Sequence, residues 1–344
     1  MSDLQRTVVD ELNEGTPLEA LDGRLLDPEQ FYVRSHFPTP VGLEAGYRLT
    51  ISGLVGDPIQ LTVDELRQLP QRELNVTLEC AGNGRTALDP KAPGTPWGFG
   101  AAGVATWAGV SVRDVLDRAA FDPQAMHLLA IGADSGEEDG AVIPYSRSLP
   151  LSRALHPDTL LALDMDGRPL TTEHGAPVRL IVPGFYAMAS VKWVVELSVR
   201  QAEFHGWFHQ ERYCYLEDSL AGEGAPVTEM RVRSIIASPG EDEDLRAGQA
   251  TTIRGSAWSA QEGVSAVAVS TDGGRTWIDA ELGESQGKYA ARGWTCAWTP
   301  DQPGTYEVWS RATDGHGRSQ PLTQRWNRLG YGNNIVHKRR LTVS

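Results

Sequence analysis

Cysteine is scarce in this chain: only Cys80, Cys214 and Cys296 occur in 344 residues. Their odd number and wide spacing exclude a disulfide framework and zinc patterns of the CxxC kind. Long apolar runs are missing as well, and no stretch approaches the ~18 residues that a membrane-spanning helix needs. The opening segment, residues 1–15, is polar and acidic, with no apolar leader core and no twin arginine. Basic residues are in deficit, 31 Lys and Arg against 45 Asp and Glu, for a net charge of −14. That deficit argues against a nucleic-acid partner and against a polybasic membrane patch. It also means that an anionic substrate must be drawn by a local cluster of cations rather than by the overall field. No Walker A, GxSxG or HExxH pattern occurs. The reading predicts no nucleic-acid and no membrane partner. The expected location is the reducing cytoplasm, or the periplasm if a leader precedes the numbering.

What is present is an ordinary globular composition, 40% apolar and 22% charged, in a length that suits about two domains. Through residue 225, strand-like and helix-like segments mix without regular βαβ alternation, which predicts an α+β domain. Strands are expected at 47–54, 74–80, 128–131, 160–165, 178–182 and 192–199, and a helix over 110–120. Thr62, three residues before Glu65, reads as a capping box on a short helix. Residues 217–227 are small and acidic and mark a boundary. From 226 to 344 the pattern turns all-β, with short strands separated by Gly, Pro and Asp turns, as in an immunoglobulin-like sandwich.

Cys80 is the most informative position. Leu74, Val76 and Leu78 alternate in phase with it, so the thiol is expected on the inward face of a strand end. The turn Ala81-Gly82-Asn83-Gly84-Arg85 follows, with glycines for a sharp reversal and a permanent cation nearby. A cysteine in an apolar phase ordinarily packs as a small core residue; beside a cation and turned N–H groups it is biased toward thiolate, the form that binds metal. Gly98–Gly103 matches GxGxxG but follows a loop, so it does not read as a dinucleotide site. His205 and His209 share helical spacing without a third ligand and read as surface residues.

Three further segments join cations with histidine or aromatics: FYVRSH at 31–36, HGAPVR at 174–179 and SVKW at 190–193. Together with CAGNGR at 80–85 they occur in the order found in the sulfite oxidase family of molybdopterin enzymes, which this chain resembles. YSRSLPL at 145–151 is similar to the family's YGASIPL, and WN at 326–327 with GYGNN at 330–334 resembles its C-terminal signature. Trp97 and Trp107 keep the family's spacing after the cysteine.

The resemblance implies one molybdenum–molybdopterin cofactor per chain, with Cys80 as the metal's protein thiolate. It implies that Tyr32, Arg34, His36, Asp134, His174, Arg179, Ser190 and Lys192 hold the pterin and its phosphate. Arg34, Arg85, Trp97 and Tyr213 would line a pocket for a small anionic substrate, with Tyr213 beside the metal. The implied reaction is oxidation of sulfite to sulfate by oxygen-atom transfer. The alternative within the family is another small oxyanion, S-oxide or N-oxide; outside it, the alternative is a non-catalytic scaffold built on the sandwich. No haem-binding segment and no flavin motif is expected, so the electrons go to an external acceptor, a cytochrome or oxygen. The second domain implies a homodimer.

The chain departs from the family pattern at four places. Ser35 replaces an asparagine, Gly84 replaces the first of two basic residues, and Met188 or Ala189 stands where animal and plant members carry arginine. The family's WNLRG is here Trp326-Asn327-Arg328-Leu329-Gly330. A one-residue shift on extended chain predicts that Arg328 points away from the pocket.

Overall fold

The computed structural model describes residues 5–10, 12–217, 224–260 and 262–344. Sheet dominates, and the described α-helices are short: Val63–Arg67, Val112–Asp117 and Leu151–Ala154. The capping box forms, with Thr62 accepting from the Glu65 N–H and the Glu65 carboxylate accepting from the Thr62 N–H. The helix expected over 110–120 is shorter. Val110 and Ser111 still pair with Leu161 and Leu160, and the helix starts only after Ser111, whose hydroxyl caps it. Helical apolar spacing there coincides with a strand that is buried on both faces, so periodicity alone could not separate the two.

Two five-stranded sheets carry the first part of the chain. In one, the cysteine strand Gln71–Glu79 pairs antiparallel with Ala102–Ser111, which pairs with Leu160–Met165; Arg179–Ile181 joins the far side of that strand. In the other, Leu49–Gly53 runs parallel to Val194–Arg200, which pairs with His127–Glu138 and through it with Ala141–Pro150. Two four-stranded sheets follow. The first orders Arg233–Ser238, Thr251–Trp258, Arg292–Trp298 and Glu281–Leu282. The second orders Ile278–Asp279, Val264–Ser270, Gly304–Asp314 and His337–Val343. The strands expected near 251–258 and 264–270 lie where the alternation put them; the closing strand His337–Val343 had not been expected. Its sequence carries three consecutive basic residues, of which Lys338 and Arg340 face out between buried residues and Arg339 is enclosed.

The apolar cluster of the first part is not confined to it. Ile235, Trp258, Tyr289 and Tyr331 pack into the same core as the cysteine strand. The Thr77 N–H donates to the Tyr289 carbonyl at 2.9 Å, and its hydroxyl accepts from the Ala291 N–H at 2.7 Å. The later sheets therefore buttress the back of the strand that presents Cys80.

Candidate active site

The cysteine strand ends with both faces covered. Val76, Thr77, Leu78 and Glu79 are buried, whereas Cys80 is half-buried. The alternation thus no longer separates inside from outside at the strand end, where a glutamate is enclosed and the thiol opens onto a cleft. Glu79 is 0% exposed and meets Arg233, 1% exposed, at 2.6 Å. Its Oε2 accepts from Trp258 Nε1 at 2.8 Å, and Asn83 Nδ2 donates at 3.0 Å to Oε1, the oxygen that faces Arg233. Arg233 also donates to the Asn83 and Asn333 carbonyls. The turn after Cys80 is thereby clamped from below by a buried charge pair.

The turn itself needs its glycines. Gly84 has φ +78°, a left-handed conformation open to glycine, and a Cβ on Gly82 would sit 2.7 Å from the Arg85 guanidinium. Arg85 folds back over this turn. It donates to the Thr95 carbonyl at 2.6 Å and the Leu329 carbonyl at 3.1 Å, and lies over the Tyr331 ring at 5.3 Å.

Beside Cys80 lies a cleft that is partly open to solvent. Tyr32, Arg34, His36, Cys80, Asp134, His174, Arg179, Ser190, Lys192 and Tyr213 all line it. These residues are far apart in sequence, and convergent loops at strand ends bring them together. Arg85 and Trp97 are not in the lining. Arg85 is held by the two carbonyls above. Trp97 is 1% exposed and packs edge-on against Tyr32 at 6.5 Å, one layer further in. Tyr145, Glu173, Met188 and Trp193 also line the cleft; the sequence marked Met188 only as the place of a missing arginine, and the other three were missed. Tyr145 and Trp193 fall inside quoted segments and could have been found there; Glu173 carries no signal beyond preceding His174.

The cations are held by backbone and hydroxyl groups rather than by acids. Lys192 Nζ donates to Ser35 Oγ at 2.7 Å and to the Glu173 carbonyl at 2.9 Å. Burial, reinforced by Arg179, pushes its pKa well below the usual lysine value. Arg179 donates to the His174 carbonyl at 3.2 Å and stacks on Trp107, and burial lowers its pKa to about 10. Arg34 donates to the Ser35 carbonyl. The His174 Nε2 lies 2.9 Å from the Pro28 carbonyl, and burial holds its pKa at about 3, so the ring is neutral. Burial raises Asp134 to about 6 despite the pull of Lys192.

Tyr32 Oη, Asp134 Oδ1 and Arg179 Nε are buried without a hydrogen-bond partner among the described residues. Native interiors rarely leave such groups unmet. Three of them around one cleft fit a polar, partly anionic ligand that completes their bonding. Tyr213 follows a single π-helical turn, Phe208–Arg212, and its N–H reaches the Phe208 carbonyl at 3.2 Å. Such turns redirect a side chain out of helical register. His209, expected at the surface, is instead 7% exposed, because the turn folds it against the Ser148 backbone. Arg328 is exposed, as the shifted register predicts.

Comparison with known proteins gives a concordant picture. The oxidoreductase molybdopterin binding domain family matches residues 36–208, and the Mo-co oxidoreductase dimerisation domain family matches residues 225–344. The chain is 35% identical over 351 residues to sulfite oxidase of Gallus gallus, covering 95% of this chain and 75% of that protein. It is 34% identical over 354 residues to mitochondrial sulfite oxidase of Homo sapiens, and spans 64% of that protein's length. The crystal structure of the sulfane dehydrogenase SoxCD from Paracoccus pantotrophus superposes with a TM-score of 0.88 at 27% identity, covering 99% of this chain and 89% of that one.

Proposed function

Because the chain belongs to the sulfite oxidase family of molybdopterin-dependent oxidoreductases, we propose that it oxidises sulfite to sulfate by oxygen-atom transfer and passes the electrons to an external acceptor. One observation carries this reading. The half-buried thiol of Cys80 opens onto a cleft in which Arg34, Arg179 and Lys192 outnumber the acids Asp134 and Glu173. When bound, a molybdenum–molybdopterin group supplies the redox and oxygen-transfer chemistry. The residues suit that group. Cys80 offers the soft thiolate. Tyr32, His36, Asp134, His174, Arg179, Ser190 and Lys192 offer the polar partners of a pterin and its phosphate.

On the substrate side, the Arg34 guanidinium binds the flat face of a small dianion with two parallel N–H groups. The Tyr213 hydroxyl has no hydrogen-bond partner among the described residues. It is available to donate to an oxygen on which charge develops. Arg85 acts on the site by stiffening the turn after Cys80, and Trp97 by backing Tyr32. The division into residues 1–225 and 226–344, an immunoglobulin-like second domain, homodimerisation through it and a cytoplasmic location belong to the same proposal. The match to the dimerisation domain family supports the homodimer.

A second reading, turnover of another small oxyanion, S-oxide or N-oxide, is favoured by one observation. Met188 lines the cleft at or beside an expected arginine, and Arg328 is exposed. The test is metal analysis of protein made in a host that synthesises the pterin, followed by sulfite turnover with ferricyanide or cytochrome c. About one molybdenum per chain, sulfite turnover, and loss of that turnover in Cys80→Ser are expected. Metal-loaded protein inert toward sulfite leaves the second reading; protein that takes up no molybdenum refutes both.

A further inference from the structure

Arg147 lies on the strand Ala141–Pro150, two residues beyond Tyr145, so the two side chains leave the same face of that strand. Tyr145 lines the cleft; Arg147 sits one layer further in and is 3% exposed. Its guanidinium carbon is 5.3 Å from the centroid of the Tyr213 ring. One N–H donates to the Phe208 carbonyl, which anchors the guanidinium to the turn that sets Tyr213. Its Nε is buried with no partner, and among the described residues no carboxylate reaches it as an ion pair. The groups that face it electrically are Tyr145, Tyr213, Tyr331 and, more weakly, Glu203. His209 beside it is neutral, its pKa pushed down to about 4 by burial and then by the Arg147 charge.

A buried guanidinium without a counter-ion is unfavourable unless something nearby compensates it. A tyrosine ring face does so in part. An anion beyond that ring does so more fully, because the intervening medium is protein rather than water. The corresponding family segment, YGASIPL, carries alanine where this chain has Arg147, and the arginine of the C-terminal segment is exposed here. One cation has therefore left the rim while another has been placed beneath Tyr213.

We infer that Arg147 is a positioning residue for the anion. Its unpaired charge seats the Tyr213 ring and gives the cleft the positive potential that retains a small oxyanion. This rests on the cleft being an oxyanion site. The experiment measures sulfate binding by calorimetry, with KM and kcat for sulfite, in the molybdenum-loaded full chain and in R147M and R147K. R147M weakens sulfate binding and raises KM by about tenfold, with a smaller change in kcat. R147K keeps the charge and stays within about threefold of the parent. A merely structural role would impair both variants alike and would not split KM from kcat. If R147M does not fold, R147Q, which can still bond the Phe208 carbonyl, is measured with the same expectation. Unchanged sulfate affinity in a folded neutral variant, beside a parent that binds sulfate and turns over sulfite, overturns the role of Arg147 alone. A parent that binds no oxyanion overturns the reading of the cleft beneath it.

Discussion

The Glu79–Arg233 pair offers a demanding test of how the cysteine turn is held. Both side chains are enclosed, at 0% and 1% exposure, and their closest charged atoms are 2.6 Å apart. The Arg233 Nε is not aligned for a hydrogen bond at that contact, so the attraction is between charges rather than along an N–H. With an effective dielectric of about 20, two unit charges at this separation attract by roughly 6 kcal/mol. Desolvation of the two ions offsets most of that gain. Replacing Arg233 with Met leaves the Glu79 carboxylate with only Trp258 and Asn83 as neutral donors. Replacing Glu79 with Gln strands the guanidinium. Each single change is expected to destabilise the chain by about 4 kcal/mol, because one uncompensated charge stays buried. The double variant is expected to lose only about 1–2 kcal/mol, since both desolvation penalties vanish with the charges. Urea unfolding of all four proteins, followed by tryptophan fluorescence and circular dichroism, reads the cycle. The Arg233 variant should also retain less molybdenum per chain, because Arg233 holds the Asn83 carbonyl inside the turn after Cys80. Strictly additive losses would refute the reasoning, as would a double variant less stable than either single.

Asp134 has a folded pKa of about 6, raised by burial above the 3.8 of an exposed aspartate. The folded chain therefore binds this proton more tightly than the unfolded one. The associated stabilisation is complete below about pH 4 and is lost as pH rises through 6, amounting to about 3 kcal/mol across the window. In cofactor-free protein, Asp134→Asn should flatten the fall in stability between those limits; urea midpoints at a series of pH values check it, and an unchanged slope contradicts it. Tyr213→Phe should lower kcat for sulfite by roughly a hundredfold at unchanged metal content, if the hydroxyl donates in the transition state; steady-state kinetics with metal analysis decide. Arg328→Ala should leave the sulfite KM within about twofold, as expected of an exposed charge; a tenfold rise would place that side chain at the substrate.

Much of the site could be read from the chain because it rests on short segments whose residue types have few uses together. Cys80, Arg34, Arg179 and Lys192 lie at or beside strand ends, His174 lies in the turn before Arg179–Ile181, and the structure brings all five to one cleft. The same segments misplace Arg85, since a motif specifies order along the chain and not which carbonyls a guanidinium will find. Here Gly82 and the loop carbonyl of Leu329 draw it back over the turn. Glu79 illustrates a second limit. Period-two alternation assigns it to the solvent face, and only the sheet packed from residues 233–258 makes that face interior. A contact between residues 79 and 233 leaves no local trace in either segment.

Arg147 shows the limit most sharply. Within YSRSLPL it reads as an ordinary polar residue on an alternating strand, and nothing adjacent marks it as enclosed. Its meaning comes from the π-helical turn at Phe208–Arg212, which lays the Tyr213 ring over its guanidinium and takes up one of its N–H groups. The chain's net charge of −14 makes that placement consequential. A rim cation in an acidic protein is screened by water and salt within about 10 Å. An enclosed one acts through protein and keeps its reach, so moving a cation from rim to interior exchanges direct contact with the anion for a field that salt does little to weaken. Sulfite KM in the parent chain should therefore vary little with ionic strength, and kinetics between low and moderate salt would show a steep rise if exposed charges such as Arg328 supplied the attraction instead.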